Sequence, residues 1–309
     1  MNDNVPVQDR VWAVVAHLSA IVMGMGILLP VVGWSESRRK SNYASFQCMQ
    51  ALGYQSLGYT IWILATLVVV VITGVGAVAR IVNLESVGQE IMAIVIAHMT
   101  LMLGLIGIYF ILPIIGAIAC VFGKDFRYPF MGKRLAKYLG YDLTLSDEPE
   151  WLIEEHENRW VASMGHFSVI IMLWGMLVPL TAWVLQGKRN SFLKFQTIQA
   201  LVFQAGTMLL YILSMVIYLS GVIFFILSIG GMDAADMDSG FGMIGLVVFL
   251  GSMLCVFGVV LLVPLLHILG QWAGYRILKG DDYRYPIVGK LVERRVSRDD
   301  KPLKKESPA

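Results

Sequence analysis

The sequence predicts an all-α fold, a polytopic helical membrane protein made of two tandem repeats. Three observations carry this. First, 57% of the 309 residues are hydrophobic and only 15% are charged, against about 25% charged in a soluble domain. Second, residues 56–79, 91–123, 200–229 and 241–275 contain no charge at all. Each of these stretches exceeds the roughly 20 apolar residues that cross a bilayer as a helix. Third, FQCMQALGYQ at 46–55 returns as FQTIQALVFQ at 195–204, an offset of 149 with six identical positions.

The same offset pairs Arg10 with Arg159, His17 with His166, Ser19 with Ser168, Pro30 with Pro179 and Trp34 with Trp183. A closing phrase, FRYPFMGK at 126–133 and YRYPIVGK at 283–290, repeats at an offset of 157, so the second copy holds eight extra residues. These matches set a membrane repeat at 9–139, an acidic linker at 140–157, a second membrane repeat at 158–296 and a charged tail at 297–309. The tail is expected to be disordered. Within the linker, Pro149 after Ser-Asp-Glu suits a helix start, and Trp151, Leu152 and Ile153 suit the membrane surface. The opening MNDNVPVQDR has no basic region before the apolar stretch, which argues against a cleaved signal peptide.

Each copy opens with an apolar segment that is ambiguous. Residues 11–34 would reach about 35 Å as one straight helix, enough to span. Gly24, Gly26 and Pro30 interrupt it, however, and can bend it into a re-entrant hairpin. Segment 161–186 carries Pro179 late and is the weaker case for a bend. Two long spans then follow in each copy, 56–79 with 91–123 and 200–229 with 241–275.

Basic residues arbitrate, because short cytoplasmic loops collect Lys and Arg. With both first segments spanning, six spans divide the Lys and Arg fifteen to nine. With both as hairpins, four spans remain, and the outer loops near 80–90 and 230–240 hold Arg80 alone of the 24. The acids there are Glu85, Glu90, Asp233, Asp236 and Asp238, of which the Asp run is read as a solvated outer loop. Four full spans are therefore preferred, with six as the alternative. The N- and C-termini are expected in the cytoplasm and the chain in the inner (cytoplasmic) membrane. An even number of crossings per copy makes the repeats parallel, whereas an odd number inverts them.

The repeated polar residues are the candidate contacts. On a helix Gln47, Gln50 and Gln55 fall within a sector of roughly 140°, as do Gln196, Gln199 and Gln204. An amide in lipid needs partners, so hydrogen bonding between helices outweighs a polar groove lining. His17 and His166 are read as hydrogen-bonded to backbone or to a Gln, ahead of a proton-handling role. Arg127, Tyr128 and Lys133, with Arg284, Tyr285 and Lys290, are read as interfacial anchors, ahead of a site for a lipid phosphate. Cys48, Cys120 and Cys255 have no motif spacing and read as packing residues. The sequence carries no nucleophile elbow, phosphate-binding Gly loop or zincin motif. No catalytic, cofactor or metal residue is assigned, and neither a cofactor nor nucleic acid is expected.

An early Trp near Ala-His-Leu-Ser, a Pro-containing segment ending in Trp, a Q-x-x-Q-A-L-x-[YF]-Q phrase and a closing R-Y-P together resemble a known family. These are the small bacterial membrane proteins of unknown function grouped with the Tic-translocon family, named for the twenty-kilodalton membrane subunit of plastid protein import. The resemblance covers nearly the whole chain, twice over. That family often has an acid where Gln50 and Gln199 stand. The resemblance implies a scaffold or component of a membrane protein-handling pathway, with a membrane-protein partner or a homo-oligomer beside the lipid bilayer. The alternative is a small-solute transporter or channel built from internal repeats, which requires solvent at Gln50, Gln55, Gln199 and Gln204. An intramembrane lipid enzyme ranks last, since the spans offer few reactive groups.

Overall fold

A computed structural model describes residues 5–80, 87–141, 151–230 and 240–299. Repeat 1 comprises α1 (Val7–Leu18), α2 (Leu28–Ser37), α3 (Asn42–Arg80), α4 (Val87–Val121) and α5 (Met131–Leu139). Repeat 2 follows with α6 (Glu154–Phe167), α7 (Leu177–Gln186), α8 (Ser191–Gly230), α9 (Gly240–Leu278) and α10 (Val288–Asp299). The described residues are helical with no strand, which is the all-α membrane fold expected.

Among the described residues six helical segments are long and apolar enough to cross a membrane. Two of them, Val7–Ser37 and Glu154–Gln186, are not straight. Each contains a 3₁₀ stretch broken by one left-handed residue, Met23 at φ 55° and Met172 at φ 55°. The chain doubles back there. A Cβ on Gly33 would touch the Trp12 ring, and one on Gly165 would lie 3.5 Å from Pro179. These residue pairs are centred on the two Met turns. Both segments are therefore helical hairpins, and four unbroken long helices remain.

The long helices have two different halves. At 39 residues, α3 is about 58 Å long, nearly twice the ~30 Å hydrocarbon core. Its first third is buried: Phe46, Met49, Ala51 and Leu52 are fully enclosed. From Ile61 onward it exposes Ile61, Leu64, Leu67, Val68 and Val71, the surface expected toward lipid. α8 divides in the same way, with Leu193 and Ala200 inside and Leu209 to Ile229 largely outside. The result is one buried head carrying both hairpins, with four apolar legs extending from it. The heads of the two copies share one core, in which Val31, Trp34 and Met49 meet Val161, Met164 and Val178.

Details of the linker differ from the reading above. Helix α6 begins at Glu154 with Ile153 as its N-cap, so Trp151–Ile153 precede the helix. Leu152 turns into the core at 5% exposure while Trp151 and Ile153 stay on the surface, although Ile153 N–H still donates to the Leu139 carbonyl at the end of α5. Pro149, Glu85, Asp233, Asp236, Asp238 and the tail beyond 299 lie outside the described residues.

Candidate functional site

The repeated polar residues converge inside each head. In repeat 1, His17 on α1 meets Gln47 on α3 through Nε2 and Oε1 at 3.0 Å. Its Nδ1 lies 2.9 Å from the Tyr128 hydroxyl. Gln47 Oε1 also accepts from Gln50 Nε2 at 3.2 Å, so His17 Nε2 must be the donor. Nδ1 then accepts from Tyr128 O–H, and the neutral Nε2–H tautomer satisfies every atom of the ring.

The glutamines clamp the loop that follows α4. Gln47 Nε2 donates to Asp125 Oδ1 at 3.1 Å and to the Phe126 carbonyl at 3.0 Å. Gln50 Nε2 donates to the Phe126 carbonyl at 2.8 Å, and its Oε1 accepts from Tyr128 N at 3.1 Å. Gln50 thus pairs with the loop backbone through both ends of its amide. Gln55 works one turn deeper, donating to Ser19 Oγ at 2.9 Å and to the Ala16 carbonyl at 3.3 Å, where the hairpin begins its turn.

Repeat 2 reproduces this atom for atom. His166 bridges Gln196 at 3.3 Å and Tyr285 at 3.0 Å. Gln196 donates to Asp282 at 2.7 Å and to the Tyr283 carbonyl at 3.1 Å. Gln199 donates to the Tyr283 carbonyl at 3.1 Å and accepts from Tyr285 N at 2.9 Å. Gln204 donates to the Gly165 carbonyl at 2.6 Å and lies 3.5 Å from Ser168 Oγ. All six glutamines and both histidines are buried, none more than 3% exposed.

The glycine of the closing phrase is required by this geometry. A Cβ on Gly132 would press on Gln50 Oε1, and one on Gly289 on Gln199 Oε1, at 2.7 and 2.9 Å. Only glycine lets the start of α5 or α10 come so close to the glutamine.

Tyr128 and Tyr285 turn inward, 3% and 2% exposed, instead of standing in a headgroup layer. Tyr128 stacks on Tyr54 with ring centroids 4.3 Å apart, and Tyr285 on Phe203 at 4.1 Å. A hydroxyl partner deep in the head, His17 or His166, outweighs the interfacial preference of the ring. Arg127, Lys133, Arg284 and Lys290 do remain on the surface, where Arg127 pairs with Asp125 at 2.9 Å and Arg284 with Asp282 at 3.0 Å.

The sequence reading missed Asp125, Asp282, Ser19 and Ser168 as members of the network. A signal was present: each Asp stands two residues before the Arg of its R-Y-P phrase. Burial lifts the Asp125 carboxyl above its ordinary range, against the opposing pull of Arg127, Tyr141 and Gln47. Among the described residues no three His, Cys, Asp or Glu side chains gather as a metal set.

The heads are joined by a buried polar seam. Glu157 of α6 accepts from Trp34 Nε1 and from Arg38 Nε, both at 3.2 Å. The side chains of Arg38 and Glu157 are only 7% and 3% exposed. Trp160 Nε1 donates to the Met49 carbonyl at 3.0 Å, and Gln186 to Ser35 Oγ at 2.6 Å.

Fold and site together define a class: a duplicated helical membrane protein whose hairpin heads are locked by a buried His–Gln–Tyr network. Within that class the chain belongs to the MamF/MmsF family, the magnetosome magnetite crystal formation protein family, whose profile matches residues 8–135 and again 157–292. This corrects the resemblance to the Tic-translocon family, for which the comparisons offer no support. The phrases that suggested it are packing contacts between hairpin, helix and loop, and packing contacts of this kind name a fold before they name a lineage. No curated protein and no solved structure matches the chain.

Proposed function

We propose that this chain is a non-enzymatic scaffold of the magnetosome membrane that takes part in forming magnetite crystals. The observation that carries the reading is the duplicated head. The amides of Gln47, Gln50, Gln196 and Gln199, repeated at one register, are spent on one another, on the histidines and on the loop backbone, which makes a rigid frame. A transporter or channel would need water at Gln50, Gln55, Gln199 and Gln204, yet these are 0–3% exposed. The protein-handling pathway loses its motive with the corrected resemblance. The family description supplies the link to magnetite.

The test is deletion of the chain in a magnetite-forming host, with crystal number and size read by electron microscopy. Smaller or fewer crystals, restored by the intact chain, support the reading. Crystals unchanged in number and size would end it.

The scaffold reading includes a topology, with four spans, parallel repeats and both termini in the cytoplasm. Single cysteines at Thr144, Gly231 and Ser307, in a chain freed of Cys48, Cys120 and Cys255, report it through an impermeant thiol reagent in intact cells. Labelling at Gly231 alone is expected. Labelling of Thr144 and Ser307 on opposite faces would invert the repeats and return transport to first place. A membrane-protein partner or a second copy, retained through mild purification, is the further expectation of a scaffold.

A further inference from the structure

The two repeats diverge beyond their heads. In repeat 2, α8 and α9 stay in contact: a Cβ on Gly221 would collide with Ser252, and one on Gly245 with Ser228. Phe225 also stacks on Phe249 at 5.0 Å. In repeat 1, a Cβ on Gly74 or Gly76 of α3, or on Gly104 or Gly107 of α4, would meet nothing within 4 Å. Those glycines face open space, α3 and α4 still meet where Thr73 Oγ1 lies 3.2 Å from His98 Nδ1, and nearer the head a groove of about 340 Å³ opens between the two helices. Gly58, Trp62, Ala65 and Ile108 contribute to its walls, and Phe130 and Met131 to its mouth.

We propose that this groove holds one acyl chain of an anionic phospholipid whose phosphate rests on Lys133 and Arg134. The groove has the shape for it. From Gly53 to Ala65, its wall on α3 runs roughly 18 Å, which suits an extended hydrocarbon chain, and its volume is that of a small-ligand site. Its lining is apolar, and the Tyr54 hydroxyl on its rim is already committed to the Tyr109 carbonyl at 2.8 Å.

Its mouth has the charge. Helix α5 carries Lys133, Arg134 and Lys137 and no carboxylate. Lys133 and Arg134 are exposed, and no ion pair engages them among the described residues. Arg134 lies one turn beyond Met131 on the same helix face, so it stands next to the residue that lines the groove. Basic clusters beside a cleft between membrane helices recognise phosphate headgroups.

Repeat 2 also has an apolar groove between α8 and α9, lined by Tyr211, Met215, Tyr218, Val256 and Val260, but it differs in the charged half of the site. Leu291 stands in the place of Arg134, so of the two cations only Lys133 has a counterpart, Lys290. The mouth of repeat 1 also holds Phe130 at φ 62° and 91% exposure. A bulky residue is kept in the left-handed region only where its surroundings require it, and here that conformation displays an aromatic ring beside the groove. Its counterpart Ile287 has no such backbone.

Trp62 in the groove wall makes the proposal measurable. The full chain is reconstituted in phosphatidylcholine vesicles containing a minor fraction of brominated phosphatidylglycerol or, separately, brominated phosphatidylcholine. The Trp62 signal is taken as the difference from Trp62→Phe. Brominated phosphatidylglycerol is expected to quench Trp62 at concentrations on the order of tenfold lower, the effect of two cations near the membrane surface. Lys133→Gln with Arg134→Gln should remove that preference, and Ala65→Phe should reduce quenching by both lipids. Equal quenching by the two lipids, or a preference that survives loss of both cations, overturns the proposal. So does an unquenched Trp62 in a chain that cross-links to itself through α3, because a second copy then fills the groove. None of these outcomes depends on a role in crystal formation.

Discussion

Tyr285 shows how much one hydroxyl carries in this protein. It donates to His166 Nδ1 while its backbone N–H donates to Gln199, so hairpin, loop and helix meet at one residue. Tyr285→Phe leaves a buried imidazole nitrogen without a donor and is expected to cost about 1–3 kcal/mol, read as a lowered thermal midpoint in detergent. An unchanged midpoint would mean the network does not support the fold. Asp125 makes a second prediction, in pH. Its folded-state affinity for a proton is raised by burial. That favourable contribution is complete below the unfolded value near 3.9 and is lost as pH rises through the raised folded value. Wild type should therefore lose stability relative to Asp125→Asn as pH climbs from about 4 through the raised value; a constant difference across that range would refute this. At this scale the sequence displayed the glutamines and histidines through duplication. It concealed the inward turn of Tyr128, since an R-Y-P phrase after a span reads equally well as an anchor.

At the scale of elements, the hairpins decide the architecture. Gly24, Gly26 and Pro30 signalled a bend, yet the turning residues are Met23 and Met172. The glycines serve close approach instead: a Cβ on Gly26 would collide with the Ser19 carbonyl, and one on Gly175 with the Ser168 carbonyl. A Met at φ 55° carries a strain of about 1–3 kcal/mol. Met172→Gly should relieve part of it and raise stability by up to about 1 kcal/mol, detectable as a higher midpoint. A marked loss would mean that the Met172 side chain, and not its backbone, holds the turn. The 161–186 segment was the weaker case for folding back, because Pro179 falls late in it. The later position suffices because Pro179 packs opposite Gly165, on the returning arm.

For the molecule as a whole, the seam between the heads is the feature that makes two repeats into one protein. Glu157 is buried between Trp34 and Arg38. Glu157→Ala removes the buried carboxylate from Trp34 Nε1 and Arg38 Nε and leaves Arg38 only the half-exposed Glu154 on its Nη2, a change expected to cost about 1.5–3 kcal/mol and to speed proteolysis of the linker. Combining it with Arg38→Met should recover much of the loss. If the double variant is as unstable as the single one, the seam owes its strength to packing. Between the long helices of the two repeats a lighter contact is made, Thr60 Oγ1 donating to Gln271 Oε1 at 3.2 Å.

The sequence by itself determined the membrane class, the duplication and the list of buried amides and imidazoles. Those follow from composition and from a register that two copies must share. The Lys and Arg count favoured first segments that fold back; tertiary structure alone decided that they turn at Met23 and Met172, that the tyrosines close the network and that Glu157 ties the copies together. It also decided that a groove opens between α3 and α4 beside the head, while Gly221 and Gly245 of repeat 2 pack on Ser252 and Ser228. Each depends on contacts between residues far apart in the chain, such as His17 with Tyr128 or Arg38 with Glu157. No local pattern of hydrophobicity or charge encodes which distant partner a side chain will meet.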